Sequence, residues 1–164
     1  MKFAASTVRS SIDSPLGRII LAASDGRLAG LWFAGQRHQA DSAAWPEDPQ
    51  HPVLQRARAQ LGEYFAGVRR EFDLPLDLEG GSAFEQSVWR ALLAIPFGSS
   101  ASYRAISAAI GKPLAVRAVG GAIGRNPLSI VVPCHRVLGA DGALTGYAGG
   151  LDRKTRLLQL EGIL

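Results

Sequence analysis

The segment Ile130-Val131-Val132-Pro133-Cys134-His135-Arg136-Val137 holds the only cysteine of the 164-residue chain, between an apolar run and two cationic or titratable side chains. Pro133 removes a backbone donor and ends the run, so the pattern predicts a strand with Cys134 at its strand-to-loop end. A strand end at a pocket mouth suits a nucleophile. Two readings of the thiol stay open here. A lone cysteine is commonly an inert, buried hydrophobe. His135 and Arg136, however, are the kind of neighbours that favour thiolate, the nucleophilic form.

Upstream, Ser82-x-x-Glu85 forms a capping box ahead of Phe84, Val88, Trp89, Leu92 and Leu93, which predicts a helix ending before Pro96. Phe97 to Ser100 reads as a turn. Ser102 to Ile110 reads as a short helix closed by Gly111, and Pro113 opens a second helix, Leu114 to Ile123, ended by Gly124 and Asn126-Pro127. Two short helices about such a turn suggest a helix-turn-helix. The second is rich in small residues (Ala115, Ala118, Gly120, Gly121, Ala122), although glycine costs helix stability. Either it packs tightly against another helix, with Arg117 solvated, or it presents a smooth face to a groove with Arg117 as a probe. Downstream, Gly139 to Gly142 predicts a turn, and Thr145 to Gly150 a loop able to put backbone N–H groups and the Tyr147 ring around a flat ligand. Leu151 to Leu160 is the last expected helix, with Asp152 as N-cap, Arg153, Lys154 and Arg156 on one side, and Leu157, Leu158 and Leu160 toward the core.

In the first half, residues 17–23 and 27–33 are apolar runs separated by Ser24-Asp25-Gly26, a hairpin signal. Residues 36–50 read as a loop. Val53, Leu54, Ala57, Leu61, Tyr64 and Phe65 recur at helical spacing after Pro52, and Phe72 to Leu78 is a candidate strand. No chemical constellation stands out, so residues 1–80 read as an N-terminal α/β scaffold domain and 81–164 as the functional domain, with the boundary at Leu78-Glu79-Gly80-Gly81. The fold class expected is α+β, a small sheet with a helix followed by a mainly helical domain.

Residues 1–80 carry nine Lys/Arg against ten Asp/Glu, and residues 81–164 carry nine against four. The basic excess therefore lies in the half with Cys134, as a polyanionic partner would require. One cysteine excludes an internal disulfide, and His38, His51 and His135 show no metal-ligand spacing. No signal peptide or membrane-length apolar run is visible, so the expectation is a soluble cytoplasmic protein without cofactor or metal.

Pro133-Cys134-His135-Arg136-Val137, preceded by Asn126-Pro127 and Arg117-Ala118-Val119-Gly120-Gly121-Ala122, resembles the O6-alkylguanine-DNA alkyltransferases, closely over residues 84–162 and in general layout before them. The likeness is to the stand-alone bacterial form. It implies a winged-helix-like DNA-binding unit, a monomer, and duplex DNA carrying O6-alkylguanine as partner, with O4-alkylthymine left open as a second substrate. Cys134 would be the alkyl acceptor. His135 would act on it as a base through a water, Glu161 would hold the imidazole, and Asn126 would organise the turn. Tyr103 would rotate the target phosphate and supply a proton to the leaving guanine. Arg117 would fill the gap left by the extruded base, alongside DNA contacts from Ala118, Gly121, Ala122 and Arg125 in the minor groove. The guanine would sit among Ile123, Val137, Tyr147 and Ala148, the last standing where some members have Ser.

The chemistry agrees with the residues. A soft thiolate suits displacement at an alkyl carbon. Nothing in the chain could cleave the thioether product, which predicts one reaction per molecule. The competing expectations are a module that binds alkylated DNA without transfer, and a thiol hydrolase built on Cys134, His135 and Glu161.

Overall fold

Asp25 and Gly26 hold positive φ values of 50° and 78°, the backbone that a two-residue hairpin requires. They join β2 (Ile19–Ser24) to β3 (Arg27–Phe33) in the computed structural model, which describes all 164 residues. Strand β1 (Val8–Ile12) adds antiparallel to β2, with Val8 opposite Ala23 and Ile12 opposite Ile19. The sequence pattern passed over β1 because Arg9-Ser10-Ser11 is polar and every position is half-buried. The expected strand at Phe72 to Leu78 is reduced to a single bridge from Leu76 to Leu28. Pro75 contributes only its carbonyl, accepting from Leu28 at 2.8 Å, and has no N–H with which to extend a ladder.

Helix α1 (Pro52–Phe65) lays Val53, Leu54, Ala57, Leu61 and Tyr64 on the sheet, and the His51 ring caps it by accepting from the Val53 amide. Helix α2 (Ala83–Leu93) starts with the expected capping box: Ser82 Oγ accepts from Glu85 N, and Glu85 Oε1 accepts from Ser82 N. Its Trp89 indole donates to the Ala122 carbonyl at 2.9 Å, which fixes α4 (Val116–Gly124) over α2. Strand β4 (Ala101–Ser102) leads into α3 (Tyr103–Ala109), with Ser102 as its cap. The second helix of the pair begins at Val116 and not at Pro113. Ala115 N donates to Lys112 O at 3.0 Å, so Pro113 is the second residue of a turn, where its fixed φ belongs.

The apolar run before Cys134 is not a strand. Val132 N bonds Leu128 O at 2.9 Å, Val131 N bonds Ser129 O at 2.8 Å, and Ile130 takes φ 71°. Burial on all sides produces the same apolar run that a core strand would show. This compact turn docks on β3: Leu31 N donates to Pro127 O at 2.8 Å and Ser129 N to Leu31 O at 3.0 Å. Cys134–Arg136 then forms a single 3-10 turn, and β5 (Val137–Leu138) pairs in parallel with β4. Helix α5 (Leu151–Leu160) is entered through Gly150 at φ 92°, which takes the N-cap place expected of Asp152. One continuous buried cluster, from Leu21 and Leu31 to Val119 and Leu157, runs through both halves of the chain.

Gly30 marks the tightest point of the sheet: a Cβ there would lie 2.0 Å from the Trp32 ring. Gly30→Ala should lower unfolding stability by about 1–3 kcal/mol, the usual cost of overpacking, read from urea denaturation midpoints.

Candidate active site

The turn that carries Cys134 is wrapped around one amide. Asn126 Oδ1 accepts from Leu128 N at 2.9 Å, while its Nδ2 donates to Val132 O at 2.8 Å and reaches Cys134 Sγ at 3.1 Å. The thiol is 5% exposed. Burial pushes its pKa up to about 11, against the downward pull of the Asn126 hydrogen bond and the Lys154 charge. His135 and Arg136, neighbours of a kind that favour thiolate, are not among the groups that pull this pKa down. Neither charge bears on the sulfur, and the resting thiol is protonated at neutral pH.

His135 and Arg136 turn instead to Glu161. His135 Nε2 lies 2.7 Å from Glu161 Oε2, and Arg136 reaches both carboxylate oxygens, Nε to Oε1 at 2.6 Å and Nη2 to Oε2 at 3.1 Å. The Tyr64 hydroxyl donates to Oε2 at 2.7 Å. Burial alone would raise the Glu161 pKa, but the bonds from His135, Arg136 and Tyr64 hold it at about 2. Burial also lowers the His135 pKa, against the pull of Glu161, so the ring is neutral. A carboxylate only accepts, which assigns the His135 proton to Nε2 and leaves Nδ1 a buried acceptor with no protein partner. Arg136 is spoken for at its third nitrogen by the Ile95 carbonyl at 2.7 Å.

Two contributors were not legible beforehand. Tyr64 read as one more apolar position on α1. Lys154 read as one of three basic residues on a helix side, yet it is 0% exposed, while Arg156 is exposed and Arg153 stacks over Phe33 at 4.7 Å. Lys154 Nζ donates to the carbonyls of Val137 at 2.6 Å, Thr145 at 3.0 Å and Gly146 at 3.4 Å. Burial lowers its pKa to about 8, with the thiol raising it. It has no carboxylate partner. Its sequence neighbours, Asp152, Arg153, Thr155 and Arg156, gave no sign of this burial.

A cleft of about 230 Å³ opens on Cys134, lined by Tyr103, Gly120, Gly121, Ile123, Arg125 and the 146–148 loop, and also by Arg37 and His38 of the first half. Ile123, Tyr147 and Ala148 thus stand where the pocket was expected. Val137 is fully buried off the cleft, with its carbonyl taken by Lys154. Gly149 makes the loop possible, since a Cβ there would meet the Tyr147 ring at 2.6 Å. The Tyr147 hydroxyl is buried without a hydrogen bond, although Ser129 is close by. The Tyr103 hydroxyl accepts from Thr145 Oγ1 at 3.1 Å at the pocket edge. Arg117 and Ala118 are exposed on α4 and Gly121 is half-exposed. Ala122 is not on that face: its side chain is fully buried. Arg125 is tied to Glu85 at 2.7 Å.

A buried thiol lining a cleft, beside the paired helices α3 and α4, gives the class: a single-cysteine protein with a ligand pocket at its sulfur. Residues 83–163 match the family model described as 6-O-methylguanine DNA methyltransferase, DNA binding domain, and residues 7–78 match its ribonuclease-like domain. The methylated-DNA–protein-cysteine methyltransferase of Mycolicibacterium paratuberculosis is 52% identical over 151 residues, 92% of this chain and 90% of that protein. The constitutive enzyme of Bacillus subtilis is 47% identical over 161 residues, 94% of each. The crystal structure of Mycobacterium tuberculosis OGT in complex with DNA is similar at TM-score 0.84 and 49% identity, covering 92% of this chain and 90% of that one. The chain belongs to the methylated-DNA–protein-cysteine methyltransferase family. It binds DNA and repairs it by moving an alkyl group onto a cysteine, and it has only Cys134 to offer. No helix is long and apolar enough to cross a membrane.

Two measurements check the electrostatics. Glu161 titrates near 2 when folded, below its ordinary 4.5. Its contribution is complete above about pH 4.5 and lost as pH falls toward 2, roughly 3 kcal/mol in all. Glu161→Gln should remove that part of the acid-denaturation slope. Lys154→Met should cost about 2 kcal/mol through its orphaned carbonyls.

Proposed function

We propose that Cys134 accepts the alkyl group of an O6-alkylguanine turned out of duplex DNA, once per molecule. The observation that carries this reading is the position of the chain's sole cysteine at a cleft whose other walls are α4 and the 146–148 loop. The target atom is inaccessible in a stacked duplex, so the base must leave the helix, at a cost of a few kcal/mol. The exposed Arg117 on α4 suits insertion into the vacated stack, with Ala118 and Gly121 admitting the minor-groove edge.

The sulfur attacks the alkyl carbon, the S–C bond forms, and the C–O pair returns to the guanine ring. The thiol proton passes toward His135 Nδ1, reached through a water, while Nε2–H stays on Glu161. Tyr103 donates a proton to the departing base and is reprotonated in turn, so that the net change moves one proton from sulfur to guanine. With the thiol pKa near 11, transfer needs this base. The catalytic set is Cys134, His135, Glu161, Asn126 and Tyr103, with Ile123, Tyr147 and Ala148 around the guanine. Residues 81–164 carry the transfer and DNA-binding machinery, residues 1–80 buttress it, and the protein acts as a cytoplasmic monomer.

Intact mass spectrometry tests the reading. Wild type mixed with duplex DNA containing O6-methylguanine should gain one methyl on Cys134 and then stop, and Cys134→Ala should gain nothing. Repeated turnover, or a wild-type chain left unmodified, would refute it.

A further inference from the structure

The cleft has a rim that the transfer chemistry above does not use. Arg37 and His38, in the loop after β3, line it next to Ala148. Their backbone is firmly placed. Gln36 is buried and its Oε1 accepts from Phe33 N at 2.8 Å and from Ser129 Oγ at 3.4 Å, linking the loop to the turn that holds the nucleophile. Gln39 Oε1 accepts from Gly35 N at 2.7 Å. Arg37 N itself donates to the Ala148 carbonyl at 3.1 Å. His38 sits at φ 60°, a left-handed conformation that is uncommon for a non-glycine residue and gathers at functional sites.

The side chains contrast with this backbone. Both are exposed, and neither makes an ion pair or side-chain hydrogen bond within the protein. The other cation lining the cleft, Arg125, is already held by Glu85. A fixed loop that presents an unpaired guanidinium and an imidazole at a pocket mouth is complementary to an anion arriving with the ligand. A nucleotide turned out of a duplex stays joined to its strand, so its phosphodiesters come to rest at the mouth as the base enters. A guanidinium fork matches two phosphate oxygens, and an imidazole N–H can add a third bond.

We propose that Arg37, assisted by His38, grips a phosphodiester flanking the everted nucleotide, so that the first half of the chain positions substrate. Both are positioning residues, and the inference rests on the alkyl-transfer reading above.

The test compares rates of Cys134 alkylation by methylated duplex and by free O6-benzylguanine, which has no phosphate, for wild type, R37A, R37K and H38A. For R37A the duplex-to-free-base rate ratio should fall roughly tenfold, the worth of a charged hydrogen-bonded contact. The log–log salt slope of duplex binding should shrink by about one unit. R37K should recover the slope but only part of the ratio, because an ammonium lacks the fork. H38A should shift the ratio the same way by less. An unchanged ratio and slope in both alanine variants would overturn the proposal. So would an equal loss on both substrates, which would mean that the loop merely shapes the pocket through Ala148. A wild-type chain that ignores methylated duplex is a different result: it removes the repair reading itself, and the rim contact with it.

Discussion

The buried carboxylate of Glu161 is the point on which the site depends. A lone buried charge is prohibitive unless it is paired and hydrogen-bonded. This one receives Tyr64 from α1, His135 and Arg136 from the nucleophile turn, and itself closes α5. The partners come from two elements, α1 and the turn, and the carboxylate from a third, so it is satisfied only when α1, the turn and α5 are all in register. Such a network adds less net stability than its bond count suggests, because desolvating the ions offsets much of the attraction. What it supplies is orientation. The imidazole is held by Nε2, so its one free nitrogen is on the side away from Glu161, and the single tautomer is settled by the acceptor-only carboxylate.

That arrangement separates two tasks that the linear sequence runs together. Cys134, His135 and Arg136 are adjacent in the chain, yet the 3-10 turn sends the thiol to the cleft and the His135 and Arg136 side chains to the interior. The sulfur is left with a neutral amide donor, Asn126, and one ammonium, Lys154, and burial outweighs both. A thiol kept protonated reacts slowly with adventitious electrophiles, since the thiolate is the nucleophile. For a protein whose single cysteine is consumed by reaction, this restraint matters. On the proposed reading, activation is coupled to what enters the cleft, because a bound base would exclude water and place the alkyl carbon beside the sulfur in one step.

Local chemistry was readable wherever it was carried by neighbouring residues. The Asp25-Gly26 turn, the Ser82–Glu85 capping box, the Gly142 turn and the α1 periodicity all follow from spacing alone, and the Cys134 motif pointed to the nucleophile. Failures came where distant segments decide. The run 130–132 resembles a strand because it is buried on every side, while a side chain four residues upstream bends it into a turn. Strand β1 hid behind a polar face. Lys154 looked solvated because no local signal says that three carbonyls from two other segments converge on its amine. Arg37, His38 and Tyr64 lay in a half without any motif, and long-range contacts such as the docking of β3 on residues 127–129 and the Tyr64–Glu161 bond bring that half to the site.

The same distinction bears on the small residues of α4. Gly120 and Gly121, inside a nine-residue helix, each cost about 1 kcal/mol relative to alanine. Tight internal packing would justify them only if a side chain could not fit. A Cβ on Gly120 would meet nothing nearer than the Tyr103 ring at 3.7 Å, an ordinary contact, and one on Gly121 would meet only the mobile end of Arg125 at 3.4 Å. Gly30, Gly81 and Gly149, by comparison, face aromatic rings at 2.0–2.6 Å and are required by the fold. The interior therefore makes no demand for glycine at 120 or 121. On the proposed reading, a nucleic-acid groove edge approaching the helix backbone beside the exposed Arg117 is what that bare face would receive.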